Sequence, residues 1–168
     1  NEQLNDNCDD YSKVIIGKYK GKIVASLRII DLDSDKKAEL EYFINLEKKF
    51  PERNQIVEVS RFCVHPQFKR SDLFSNLVRH LGLYMFQSNK RYILSSATSD
   101  LFPLYKRIGA KKTGIDYTHN ILGNKKHIVF LIDVHKVVAK VKSIDPFSWN
   151  IIFSELVDFL YKNTLVNL

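Results

Sequence analysis

Two cysteines, Cys8 and Cys63, are all that this chain of 168 residues contains. Two are too few for a disulfide framework. No CxxC, no HExxH and no paired Cys/His spacing is present, which argues against a metal site. No apolar run reaches the roughly 18 residues that a membrane-crossing helix needs; peripheral contact with a membrane surface stays open. The start, Asn1-Glu2-Gln3-Leu4-Asn5, has neither an initiator Met nor the apolar core of a secretion signal. The expectation is a cytoplasmic protein whose native N-terminus has been trimmed. Repeats and low-complexity linkers are missing, so one domain is expected over 1–168. Without a helix-turn-helix, zinc finger or aromatic RNA-binding signature, nucleic acid is not an expected partner. No histidine is spaced to serve Ser60 as in a hydrolytic triad.

What is present is a 45% hydrophobic chain with a net charge of +7. The first supplies a sizeable core. The second suits acidic partners, or is a solvated lysine-rich surface. Residues 1–12 are polar and read as a loop or mobile segment. β-branched runs on either side of Lys20-Gly21 predict a hairpin over 13–30. A strand follows over Gln55–His65. Helical spacing of Leu73, Phe74, Leu77, Val78, Leu81, Tyr84 and Met85 predicts a helix over 71–87, capped by Ser71. Then come a strand over 91–97, a helix around Ser99–Ile108 ending at Gly109, and strands over 110–118 and 127–133. Asp145-Pro146 opens a further helix over 145–163. The order predicts an α/β fold with a mixed central sheet flanked by helices.

The strand at 55–65 is unusual. Strict alternation puts Ile56, Glu58, Ser60, Phe62 and Val64 on one face and Val57, Val59, Arg61 and Cys63 on the other. Both faces then mix polar and apolar side chains, which a simple half-buried strand avoids. Cys63 reads as a buried small hydrophobe.

The element order, with Val64-His65-Pro66 leading into the long helix, resembles the GNAT acyl-CoA N-acyltransferase fold. In that superfamily a glycine-rich loop cradles the pantetheine pyrophosphate at a helix N-terminus. The stretch in its place is Lys69-Arg70-Ser71-Asp72-Leu73-Phe74, with no glycine. Glu58-Val59-Ser60-Arg61-Phe62, with Arg28 on the earlier strand and Asp6-Asn7-Cys8-Asp9 before it, is similar to the acyl-homoserine-lactone (autoinducer) synthases. Leu104-Tyr105 through Gly109 and the Pro146–Asn150 tail favour the related N-acyl amino acid synthases. The resemblance implies transfer of a fatty acyl group to the amine of an amino acid or similar acceptor. The donor it implies is an acyl-phosphopantetheine thioester, on acyl carrier protein rather than CoA, with no permanently bound cofactor. An autoinducer synthase using S-adenosylmethionine, and an inactive domain that binds acyl carrier protein, are the alternatives.

Several residues then have two readings each. Glu58 either forms an ion pair with Arg28 or Arg61, or accepts the proton of the attacking amine. Arg28 and Arg61 either pair with Asp6 and Asp9 or order a carboxylate-bearing acceptor, beside Ser60. A backbone N–H at a bulge around Cys63–Val64, next to Phe62, is expected to hold the oxyanion. Tyr105 is either a half-buried core residue or the acid that protonates the departing thiolate. Lys69, Arg70 and Lys106, with Phe74, either belong to an ordinary surface and core or meet the acyl donor.

Overall fold

A computed structural model describes residues 6–33, 35–46, 50, 53–119, 123–144 and 158. Lys13–Tyr19 (β1) and Lys22–Asp31 (β2) form the expected hairpin. Its turn residues, Lys20 and Gly21, sit at φ 48° and 78°. This is the left-handed turn whose twist suits a hairpin, and Gly21 adopts it without Cβ strain. Ile56–Val64 (β3) joins β2 antiparallel. Leu73–Gln87 (α1) then crosses over to Tyr92–Thr98 (β4), which runs parallel to β3; a parallel pair needs such a crossover. Phe102–Arg107 (α2) leads to the hairpin of Lys111–His119 (β5) and Lys125–Asp133 (β6), and Val134–Ile144 (α3) follows. The sheet order is β1-β2-β3-β4-β6-β5.

Each face of the sheet carries its own apolar layer. Leu77, Leu81 and Met85 of α1 bury against Leu27, Ile29, Val57, Val59 and Phe130. Their spacing is the helical stripe that the sequence shows. On the other face, Ile30, Ile56, Leu94 and Val129 pack under Cys8, Ala38, Leu40 and Leu46. Segments without regular strands or long helices thus roof that face.

Several expectations shift. Asp72 is the capping residue of α1, although the Ser71 hydroxyl still accepts the Leu73 N–H at 3.3 Å. α2 starts at Phe102 rather than near Ser99, where Pro103 fits the first turn. α3 was not anticipated, because its Val134, Val137 and Val138 read as strand formers. Asp133 starts it by accepting the Lys136 N–H at 3.1 Å. The segment expected to be mobile, as far as residues 6–12 are concerned, is placed against the sheet: Asp9–Tyr11 is a 3-10 turn and Cys8 is buried. The helix expected over 145–163 lies outside the described residues, apart from Asp158.

Gly109 ends α2 at φ +91°, and a Cβ there would run into Val137 Cγ2. Gly109→Ala is therefore expected to cost about 1–3 kcal/mol, as left-handed strain plus a clash with α3. Urea unfolding checks this; an unchanged midpoint would show that α3 yields freely.

Candidate active site

The site begins with an irregularity in β3. Arg28 pairs with Ser60, but Ser26 pairs with Cys63. β2 therefore spends Leu27 where β3 spends both Arg61 and Phe62, which is a β-bulge. Arg61 takes φ +51° to make it. Alternation is reset there, and this corrects the faces expected from the sequence. Arg61 joins Glu58 and Ser60 on the roofed face, while Phe62 joins Val57 and Val59 against the helices. The polar groups no longer share a face with Phe62. The bulge lies a little before the Cys63–Val64 position expected for it. Cys63 is exposed, not buried, because the reset turns it outward beyond the end of the β3–β4 pairing; Val64 is half-buried.

Arg28 is 1% exposed and every nitrogen of its guanidinium is used. Nε donates to Ser60 Oγ at 3.0 Å, Nη1 to Asp6 and Asp9 at 2.8 and 2.6 Å, and Nη2 to Glu39 at 2.6 Å. Arg61 donates to Asp6 at 2.8 Å and Asp9 at 3.1 Å. Burial alone would weaken the Arg28 charge, but the bonds it donates to Asp6 and Asp9 and the charge of Glu39 raise its pKa. Burial likewise works against Asp6 and Asp9, yet Arg28 and Arg61 hold both below the usual carboxylate range. The aspartates are thus the partners of both arginines. Neither arginine is within ion-pair distance of Glu58.

Glu58 is 2% exposed. Its Oε2 accepts the Glu39 N–H at 2.5 Å and its Oε1 the Leu40 N–H at 3.1 Å. Burial, then the charge of Glu39, pushes its pKa up to about 8 against those two bonds. A carboxyl so placed takes a proton readily near neutral pH.

β3 and β4 pair only from Ile56–Tyr92 to Glu58–Leu94. Beyond that, the Ser95 hydroxyl donates to the Val59 carbonyl at 2.6 Å, and the strands part. A cavity borders the parting on each face. On the roofed face, Glu39, Glu58, Ser60, Arg61, Ser96, Tyr117, His119 and His127 line a polar one. On the helix face, Val59, Phe62, Val78, Leu81, Tyr105 and Phe130 line an apolar slot. Val59 borders both. Tyr105 lies in the slot, 4.9 Å from Phe130 ring to ring, and burial raises its pKa. Phe74 lies in α1 rather than in the loop before it, and its ring packs on Phe62 at 5.1 Å. Lys69 and Arg70 are exposed just before α1, and Lys106 is exposed in α2.

The sequence reading missed Glu39, Ser96, Tyr117, His119 and His127. The only signal was the i, i+2 spacing of Tyr117 and His119, with His127 directly opposite Tyr117 across the hairpin.

The family model for the N-acyl amino acid synthase FeeM matches residues 4–131. The chain belongs to this family. FeeM from uncultured soil microbes has a similar structure, with TM-score 0.62 and 11% identity over 80% of this chain and 82% of that one. The CoA-dependent acyl-homoserine lactone synthase BjaI, solved with SAM and isopentyl-CoA, gives 0.61 and 13% identity over 90% and 68%. The acyl-homoserine lactone synthase MesI, also CoA-dependent, gives 0.56 and 20% over 77% and 66%. No curated protein matches. The fold is that of the GNAT acyltransferases, and the family member is an N-acyltransferase. Among the described residues no helix is long and apolar enough to cross a membrane.

Proposed function

We propose that this N-acyltransferase moves a fatty acyl group from the phosphopantetheine thioester of acyl carrier protein to the amine of an amino acid or similar acceptor. The observation that carries this is the pair of cavities meeting at Val59. One holds a buried base and polar groups for an amine; the other is an apolar slot that suits an acyl chain. The amine nitrogen attacks the thioester carbonyl at the parting of β3 and β4, forming the C–N bond. Glu58 takes a proton from that nitrogen. A backbone N–H at the bulge beside Phe62 and Cys63 is the group assigned to support the oxyanion. The C–S bond then breaks, and Tyr105, kept as a neutral phenol by burial, supplies the proton that the thiolate needs. Arg28 and Arg61 act by fixing the 6–12 segment and Ser60, since the aspartates already occupy their donors.

Release of free thiol from octanoyl–acyl carrier protein and from octanoyl-CoA, each with the twenty amino acids, tests this. Thiol release that requires an amine supports it; none with any amine overturns it. The exposed Lys69 and Arg70, with Lys106, suit an acidic carrier protein. Neutralising Lys69 and Arg70 to Ala is expected to raise KM for the carrier-protein donor about 5- to 10-fold at low salt, with the difference shrinking as salt rises. Salt-independent binding of the carrier protein would count against that docking face.

A further inference from the structure

The roofed cavity contains a hydrogen-bonded row that the reaction above does not use. Tyr117 of β5 and His127 of β6 stand opposite each other, with ring centroids 5.4 Å apart. Between them, Ser96 of β4 lies 2.8 Å from Tyr117 Oη and 3.4 Å from His127 Nδ1. All three line the cavity that holds Glu58. His127 is 9% exposed, at the far end of the row from the phenol.

Proton accounting gives the row a task. A primary ammonium enters with three N–H bonds, and the product amide keeps one. Two protons leave the nitrogen. One replaces the acyl group on the thiol sulfur, and one must reach water. Glu58 is 2% exposed and both of its oxygens already accept backbone N–H groups, so a second group that takes a proton from the nitrogen completes the account.

We propose that Tyr117, Ser96 and His127 form a proton relay, with His127 accepting through the two hydroxyls the proton that the acceptor ammonium gives up. The Tyr117 oxygen takes the proton from nitrogen while its own O–H proton passes to Ser96. The Ser96 proton passes to His127 Nδ1, whose tautomer carries its hydrogen on Nε2. Charge is conserved: the ammonium becomes an amine and His127 an imidazolium. The charged and titratable groups around His127 are Tyr117 and His119 of β5, Lys125 on its own strand, and Glu39, Glu58 and Arg61 across the cavity. Burial, with the charges of His119 and Lys125, lowers the His127 pKa and keeps it neutral and able to accept. Burial and the two glutamates push Tyr117 up to about 12, against its bond with Ser96, so it passes protons without storing charge.

The inference rests on the acyl-transfer reading, and its test separates the two. An amine acceptor from the screen is compared with its aminooxy analogue, whose NH2 is unprotonated at neutral pH, after subtraction of uncatalysed aminolysis. Tyr117→Phe keeps the ring and removes the relay oxygen; His127→Gln removes the acceptor. Each is expected to lower kcat/KM about 10- to 100-fold with the amine and less than about 3-fold with the aminooxy compound, as loss of general-base help predicts. Equal losses with both nucleophiles, or no loss with the amine, overturn the relay and make the row a structural wall. A wild-type protein that releases no thiol with any nucleophile overturns the acyl-transfer reading, and the relay with it.

Discussion

Glu58→Gln is expected to lower kcat by about 10²- to 10⁴-fold while the protein stays folded. That range is what removal of a positioned general base costs. The variant removes the one buried carboxyl facing the acceptor cavity and keeps its size. It has a structural cost, because Glu58 accepts from both the Glu39 and Leu40 N–H groups. A glutamine can accept only one; its NH2 faces the other donor. One unsatisfied buried N–H costs about 1–3 kcal/mol, which a domain of this size can absorb. Circular dichroism should therefore match wild type. Wild-type kcat/KM should rise about tenfold per pH unit toward pH 8 and then level off, since only the ionised carboxylate takes a proton. The sign for stability is opposite. A carboxyl whose folded pKa is raised favours the native state while protonated, and this contribution is lost as pH rises from its unfolded value through about 8. Glu58→Gln should flatten that slope. Near-normal activity, or an unchanged pH profile, would remove Glu58 from the reaction.

The largest loss of stability is expected from Arg28→Met. This side chain is almost fully buried and satisfies Asp6, Asp9, Glu39 and Ser60 at once. Removing one side of a buried ion cluster leaves uncompensated charge, at about 3–5 kcal/mol. Arg28→Lys keeps the charge but has no fork to serve several carboxylates together, so it should fall between the two. The pH dependence separates this from a packing defect. Asp6 and Asp9 have lowered folded pKa values. Their contribution is present above the unfolded carboxyl pKa and is lost as pH falls through the lowered folded values. The stability gap between wild type and Arg28→Met should therefore narrow in acid. Denaturant midpoints between about pH 3 and 7 measure it; a constant gap would mean that lost packing dominates.

The element order and the charged pair of β3 residues were legible because they depend on local period and residue type. α1 shows a seven-residue apolar stripe, and the β1–β2 hairpin shows its turn residues outright. Where the sequence reading failed, the reason is non-local. The faces of Arg61, Phe62 and Cys63 depend on a bulge that only the pairing with β2 reveals. Glu39 enters the site because its backbone and carboxylate meet Glu58 and Arg28, residues distant in sequence. The row of Tyr117, Ser96 and His127 draws on three strands. Its hairpin register cannot be counted from Gly123-Asn124 alone, since Tyr117 pairs with His127 off that turn's centre. α3 was hidden by the β-branched content of its first turns.

The bulge in β3 also acts as a change of reading frame within one strand. An unbroken strand returns to the same side every second residue, so it offers a cavity Glu-x-Arg or Glu-x-x-x-Arg. The extra residue at Arg61 lets β3 place Glu58 and Arg61, an odd three apart, on one side and Val59 and Phe62, also three apart, on the other. Were the same residues paired without the bulge, strict alternation would turn the guanidinium toward the apolar slot and the phenylalanine toward the charged cluster. The spacing Glu-x-x-Arg-Phe is therefore a geometric signature: chains that keep it can be sought as two-cavity proteins even where the rest of the sequence has drifted beyond recognition.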